Sequence, residues 1–377
     1  MEIDRWRQEF PSAQRMLHLN HAGVSPVSQR VVRAVRACVD DATMVAPATA
    51  QSMPMRTNDV RTWCADLIGA AAHEIAFITN TSEGLSLVAS AITWRDGDNV
   101  VAIDGDYPAN VYPWWGQRRF GVKTRMVTPR ARRFGVDDVR AASDARTRVV
   151  AVSAVDWQTG FRCDLRALGA FCRARGILFC VDGIQAVGAL RIDVERDLID
   201  CLAFGGHKWL LAPPGCGALY VAQRVVEQLQ PVILGWKSVT DAEAHLPYHF
   251  DLRRDAMRFE PGTTATLGIA GLGAAVRLLH EVGATAIESR ILDLTAQLAE
   301  GLRRRGAEVI SPWADSERSG ILTVRLDRDP AAVVAALENQ SVLCRVRTGG
   351  LRLAPHFYLA DDDVARFFAV FDDVTSG

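Results

Sequence analysis

Between about residue 60 and residue 235, short apolar runs alternate with longer amphipathic stretches, and this alternation restricts the fold more than any other feature of the chain. The apolar runs are EIAFIT (74–79), NVVAI (99–103), RVVAVSAV (148–155), GILFCVD (176–182), CLAF (201–204) and GALYV (217–221). Stretches with helical spacing, such as GLSLVASAITW and LRALGAFCRARG, lie between several of them. Runs without a polar alternate face read as strands buried on both sides, and helical connections between them make the sheet mainly parallel. The chain is therefore expected to be an α/β protein whose ligands gather at the carboxyl ends of the strands. A second region opens near Phe259: two helices over 266–306, the strand GILTVRL, a helix from Pro330 to Glu338, strands around VLCRVR and GLRLAP, and a final amphipathic helix begun by aspartates. It reads as a smaller α+β domain.

Bulk properties exclude several function classes. Forty-three basic against 44 acidic side chains give a net charge of -1, so no basic field marks the chain for nucleic acid or an anionic membrane. The apolar stretches are interrupted by charges such as Arg277 and do not reach spanning length, and MEIDRWRQEF lacks an apolar signal core; the expected location is cytoplasmic. The eight cysteines form no C-x-x-C pair and read as reduced, buried side chains. No metal site is expected: His280-Glu281 lacks the second histidine of H-E-x-x-H, and Pro247 separates His245 from His249.

Three stretches carry the chemical signal. In NTSEGLSLVAS (80–90), Thr81 and Ser82 stand where a helix starts, offering hydroxyls and free N–H groups to an anion; alone, this stretch reads rather as an ordinary N-cap. In LFCVDGIQAVGAL (178–190), Asp182 closes an apolar strand and Gln185 follows in the turn. A carboxylate there either caps the turn or meets a cation, such as a protonated ring nitrogen, that offsets its desolvation. In AFGGHKWLLAPPGCGAL, Lys208 lies between His207 and the bulky Trp209 and Leu210. It is either a snorkelling surface lysine or an amine whose apolar setting lowers its pKa and makes it a nucleophile toward aldehydes. A phosphate cradle, an acid for a pyridinium nitrogen and a buried amine are together the protein groups that pyridoxal phosphate requires.

The run VDGIQAVG…FGGHKWLLAPPGCGALYV resembles the class V aminotransferase superfamily of fold-type I pyridoxal-phosphate enzymes, which includes cysteine desulfurases, selenocysteine lyases and isopenicillin N epimerase-like proteins. The likeness extends from LHLNHAGVSP to GGLRLAPHFY. It implies a large cofactor-binding domain (17–255) with a mainly parallel, seven-stranded type of sheet, and a small domain made of 1–16 and 256–377. It also implies that Lys208 forms the internal aldimine, that Asp182 pairs with the pyridine nitrogen, and that Thr81, Ser82 and His207 hold the phosphate. Tyr107, in GDYPANVYPWW, would stack on the ring, and Gln185 with either Asp156 or Gln158 would reach its phenolic oxygen. Gly262 and Thr263, in RFEPGTTATLG, would contact the neighbouring subunit's phosphate, which implies a homodimer with shared sites. Arg352 would clamp the carboxylate of a small amino-acid substrate, with Arg347 and His21 as further substrate-binding candidates. The aromatic group Tyr107, Tyr112, Trp114, Trp115 and Trp236 either lines a roomy pocket or packs a dimer interface.

The chain departs from its desulfurase relatives in one respect that bears on function. Those enzymes carry a nucleophilic cysteine on a mobile loop after the strand corresponding to 343–347, whereas here RTGG runs directly into LRLAP and Cys344 lies upstream within the strand. Gly205 also replaces a phosphate-binding serine that desulfurases often have. What is left is chemistry a lysine can drive alone, by taking the Cα proton. The expected activity is β-elimination of sulfur from a cysteine-derived amino acid, with epimerisation or transamination as alternatives and a non-catalytic cofactor-binding role as a fourth. A nicotinamide-dependent dehydrogenase is excluded, because the G-x-G in GIAGLGAAV lies inside a helix pattern and lacks the third glycine.

Overall fold

A computed structural model describes residues 2–44 and 57–376. All six apolar runs form strands of one sheet, and a seventh joins them. In chain order they are β1 (Ile75–Ile78), β2 (Asn99–Ile103), β3 (Lys123–Val127), β4 (Thr147–Ser153), β5 (Leu178–Asp182), β6 (Cys201–Gly205) and β7 (Gly217–Val221). The spatial order is β1-β7-β6-β5-β4-β2-β3. β7 runs antiparallel to both β1 and β6, and every other pairing is parallel, so six strands point the same way. Apart from β3, the strands are buried almost throughout, as continuous apolar runs require; each Val, Leu or Ile taken fully out of water contributes about 1.5–3 kcal/mol. β3 was not expected. Its sequence KTRMV alternates exposed Lys123 and Arg125 with less exposed residues, the pattern of a charged edge strand.

Helices cover both faces of the sheet. α1 (Thr81–Ala91) follows β1 directly and packs against β6 and β7. Asn80 caps it, its side-chain oxygen accepting the Glu83 N–H at 2.9 Å. Beyond the sheet, α2 (Thr266–Val282) and α3 (Ala284–Arg303) are the two helices expected over 266–306, and α2 packs on the N-terminal helices Gln29–Met44 and Thr57–Asp66. The segment leading into α2 is fixed to β1 by a buried ion pair. Arg61 Nη1 and Nη2 meet the two Glu260 oxygens at 2.5 and 3.1 Å, Arg61 also donates to the Ile75 carbonyl, and Glu260 accepts the Phe77 N–H at 2.7 Å. Glu260→Gln keeps that last acceptor but strands a buried guanidinium. It is expected to cost about 3–5 kcal/mol, read as a lower urea midpoint.

A second, antiparallel sheet is built from β8 (Glu308–Val309), β9 (Leu322–Arg325), β10 (Arg345–Arg347) and β11 (Gly350–Leu353), in the order β10-β11-β9-β8. β10 and β11 are joined through Thr348 and Gly349 alone, whose φ values of 49° and 68° both lie in the left-handed region, as the tightest hairpin turn demands. Leu17–His18 pairs in parallel with Val342–Leu343, and Asn20 bridges Ala354. The N-terminal segment thus runs beside this second sheet. The final helix, Asp361–Thr375, opens with three aspartates where the helix dipole favours them.

Candidate active site

The carboxyl ends of the parallel strands open into a cavity of about 520 Å³. Thr81 arrives three residues after β1, Tyr107 four after β2, Trp157 four after β4, Asp182 at the end of β5 and Lys208 three after β6. The hairpin β10–β11 closes the cavity with Arg345, Arg347 and Arg352, and the N-terminal segment adds Asn20. A hollow of about 550 Å³ elsewhere has no such convergence; two of its arginines, Arg162 and Arg191, are already spent on Glu288.

The bulky neighbours of Lys208 are anchors. Trp209, Leu210 and Leu211 are fully buried; the Trp209 indole N–H donates to Gln185 Oε1 at 2.9 Å, and its carbonyl meets His356 Nε2 at 3.0 Å. Gly188 allows this contact: its φ of 95° is left-handed, and a Cβ there would stand 2.5 Å from the Trp209 carbonyl oxygen. With its backbone fixed, Lys208 extends into the cavity, its Nζ 5.6 Å from the centre of the Tyr107 ring. Burial lowers the pKa of its amine, Asp182 opposes that shift, and Arg352 and Arg347 add to it.

Asp182 is 1% exposed. One carboxylate oxygen accepts the Ile184 N–H at 2.9 Å, while the other is buried without a hydrogen-bond partner among the described residues. Burial raises its pKa, Asp106 adds to the rise, and the Ile184 N–H and Lys208 oppose it. Thr81 Oγ1, at the first turn of α1, is likewise buried and unpartnered. Orphaned polar atoms of this kind are rare in folded proteins and mark places where a further group belongs. Ser82 lies exposed beside Thr81, and His207 is half-buried on the same wall, with burial and then Lys208 lowering its pKa.

Gln185 is more constrained than its sequence suggests. Its Oε1 is taken by Trp209, a donor only, and one amide hydrogen goes to the Ala22 carbonyl at 3.0 Å, which leaves a single N–H for the cavity. Tyr107 is 44% exposed and meets Trp157 edge to face, with ring centres 5.4 Å apart. Arg352 is 2% exposed; it donates to the Trp157 carbonyl at 2.6 Å and to Asn20 Oδ1 at 3.1 Å, both neutral acceptors. Burial first, and then Arg347 and Arg345, lower its pKa to about 10.

Three expected site residues, Asp156, Gln158 and His21, lie elsewhere. Asp156 does not reach the cavity: its carboxylate accepts from the N–H groups of Gln158 and Thr159 and the Thr159 hydroxyl, and it pairs with Arg132 at 3.1 Å. The Gln158 amide donates to the Gly105 carbonyl at 3.1 Å, so Trp157 is the residue of this turn that faces the cavity. His21 is fully buried behind the wall, with Nδ1 on the Ala354 carbonyl at 2.8 Å and Nε2 on the Tyr358 hydroxyl at 2.9 Å, and it packs against His18 and His356. Its neighbour Asn20 takes the place on the wall. Gly262 and Thr263 border a separate recess of about 260 Å³, on the Thr79 and Glu83 side of the α1 start. Of the expected aromatic cluster only Tyr107 lines the cavity: Trp114 is buried with its indole N–H on Asn110 Oδ1, and Tyr112, Trp115 and Trp236 lie on the surface.

Asp106, Asn20, Arg345 and Trp157 were not singled out from sequence. Asp106, half-buried and next to Tyr107 in the chain, accepts from the Ser153 hydroxyl at 2.6 Å and the Asn110 amide at 3.0 Å, and has a raised pKa, chiefly from desolvation. The one signal that could have revealed it is the GDYP run immediately after β2.

A parallel sheet with a lysine, an unpaired carboxylate and a helix start at its carboxyl edge defines a cofactor-dependent α/β enzyme, and comparison with known proteins agrees. The model of the class-V aminotransferase family matches residues 18–366, and the chain belongs to that family. A probable cysteine desulfurase of Methanothermobacter thermautotrophicus is 30% identical over 93% of this chain and 88% of its own. A cysteine desulfurase of Klebsiella pneumoniae is 32% identical over 81% of this chain and 74% of its own. The fold matches that of a cystine C–S lyase solved with its product cysteine persulfide: TM-score 0.89 and 24% identity, covering 97% of this chain and 99% of that one. Pyridoxal phosphate is the cofactor of the family. The wall fits it, with an orphaned carboxylate oxygen on Asp182, an orphaned hydroxyl and free N–H groups at the start of α1, and an amine that follows β6, which lies between β1 and β5 in the sheet.

Proposed function

We propose that this enzyme breaks a C–S bond by β-elimination in a cysteine-derived amino acid, giving pyruvate, ammonia and a thiol. Start of α1, Thr81, Ser82 and His207 would hold the cofactor phosphate, Asp182 the ring nitrogen, Tyr107 a ring face, and the remaining Gln185 N–H the phenolic oxygen. When bound, pyridoxal phosphate supplies an electron sink for negative charge at Cα. Arg352 would orient the substrate carboxylate through a two-point contact. Lys208, whose neutral, proton-accepting amine burial favours, would take the Cα proton, and the β-sulfur would leave with the C–S electron pair and pick up a proton. Water then completes hydrolysis to the keto acid and ammonia.

The observation carrying this reading is the two-residue turn of the β10–β11 hairpin, together with a cavity wall that carries no cysteine among the described residues. All eight cysteines are buried, and burial raises the Cys344 thiol to about 12, far from a reactive thiolate. Sulfur in this site has a base to release it and no thiol to receive it. Two chains would assemble through the exposed apolar segment that includes Val232, Ile233, Leu246, Tyr248 and Phe250, and Gly262 and Thr263 would then reach toward a second copy's site.

The test is incubation of the cofactor-loaded enzyme in D2O with a panel of amino acids that includes cysteine S-conjugates, read by mass spectrometry. Pyruvate released with a stoichiometric thiol is the expected result. Deuterium at Cα with the carbon skeleton intact would replace the lyase reading by an epimerase.

A further inference from the structure

The charges on the cavity wall do not balance. Arg345 and Arg352 are cross-strand partners on β10 and β11, and Arg347 lies two residues from Arg345, so the pleat puts all three guanidiniums on one face of the hairpin. All three line the cavity. Arg345 is neutralised by Glu338. Arg352 has only the Trp157 carbonyl and Asn20, and Arg347 donates only to its neighbouring Val346 carbonyl at 2.7 Å, with its Nε buried and unpartnered. Neither forms an ion pair among the described residues. Among the described residues, the one carboxylate on this wall, Asp182, lies at the end of β5 and is committed to the ring nitrogen in the reading above.

Two uncompensated guanidiniums side by side repel each other, an arrangement that costs stability unless a ligand brings anions to both. The α-carboxylate of an amino acid answers Arg352. The phosphate has its own donors at the start of α1. Arg347 is left over, with its guanidinium carbon 5.5 Å from the centre of the Trp157 ring, which in turn meets Tyr107 edge to face. Cation–π support on one side leaves the planar fork free to bind an anion on its edge.

We propose that Arg347 binds a second carboxylate, carried on the sulfur substituent, so that the preferred substrate is a dicarboxylic cysteine thioether. The inference rests on the lyase reading but reads out separately from it. S-carboxymethylcysteine and S-carbamoylmethylcysteine have nearly the same shape and differ by the charge. The holoenzyme is expected to favour the acidic compound at least about tenfold in kcat/KM, and also in the dissociation constant read from the shift of the cofactor's visible absorption. Arg347→Gln should reduce the acidic-to-neutral ratio about tenfold in both measurements, while Arg347→Lys, which keeps a point charge without the fork, should retain part of it. Thermal unfolding of both variants checks that they fold, and if one does not, the other carries the comparison.

No preference for the acidic compound, or an equal loss on both compounds in Arg347→Gln, would overturn the assignment. The binding measurement needs no elimination. If neither compound is cleaved but the acidic one binds more tightly through Arg347, the lyase reading falls and the subsite stands. If both are cleaved at equal efficiency, the reverse holds.

Discussion

Lys208→Ala should lose at least about 10⁴-fold in turnover of every amino acid the enzyme accepts, the upper end of what a positioned base contributes. The same variant should lose the visible absorption band of the lysine-linked cofactor. The two losses have one origin. The amine is held in the cavity by the buried Trp209–Leu211 anchor, and no other lysine lines the cavity among the described residues. Truncation removes a buried amine whose charged form is already disfavoured, so folding should survive it. Single-turnover kinetics with an absorption spectrum on the same sample decide the matter. A variant that kept its full rate would refute the assignment of Lys208, whatever else held.

Asp182→Asn should affect activity and stability with opposite signs. Activity should fall roughly 10²–10³-fold in kcat, the typical loss when one preorganised electrostatic group is removed, and the cofactor should dissociate more readily. Stability of the cofactor-free protein should rise. The folded state lifts the Asp182 pKa above its unfolded value, so the ionised carboxylate opposes folding at pH values above the folded pKa. That penalty shrinks as pH falls from the folded pKa toward the ordinary carboxylate value and is gone below it. The asparagine form should therefore be more stable by about 1–3 kcal/mol at pH 8, the scale of one unsatisfied buried polar group, and lose the advantage near pH 4. Urea unfolding of both proteins at the two pH values tests this. An asparagine variant that is less stable at pH 8 would mean that the unpartnered oxygen is satisfied in solution.

How far the sequence could be read depended on which physical term set each feature. Strands buried on both faces announced themselves, because burial demands runs such as NVVAI and LFCVD with no polar alternate. The edge strand Lys123–Val127 and the short Glu308–Val309 did not, since an edge is protected by the very charges that hide it. Asp182 was legible because it closes its strand and backbone direction alone aims it at the carboxyl edge, and Thr81 because it opens the helix that follows β1. The orientation of side chains in the turn after β4 was not. In SAVDWQTG the hydrogen bonds of Asp156 to the following N–H groups and to Arg132 rotate it into a structural cap and present Trp157 instead. His21 and Asn20 reversed roles for a related reason: parallel pairing of this segment with the C-terminal sheet fixes which side chain points inward, and one residue of register exchanges them. The charge imbalance of the hairpin was invisible, because it depends on which arginines find a carboxylate.

The antiparallel strand inside an otherwise parallel sheet has a consequence for the order of assembly. β1 gains its neighbour only through β7, and Ile75 pairs with Tyr220, 145 positions downstream. Closing so long a loop is entropically slow relative to the local pairings of β2 through β6, and a chain emerging from the ribosome at about 5–20 residues per second leaves β1 unpaired for many seconds. Thr81 and the start of α1 hang from that strand. The start of α1, the proposed phosphate cradle, therefore takes its place only once β7 has followed the strands that lead to Tyr107, Asp182 and Lys208.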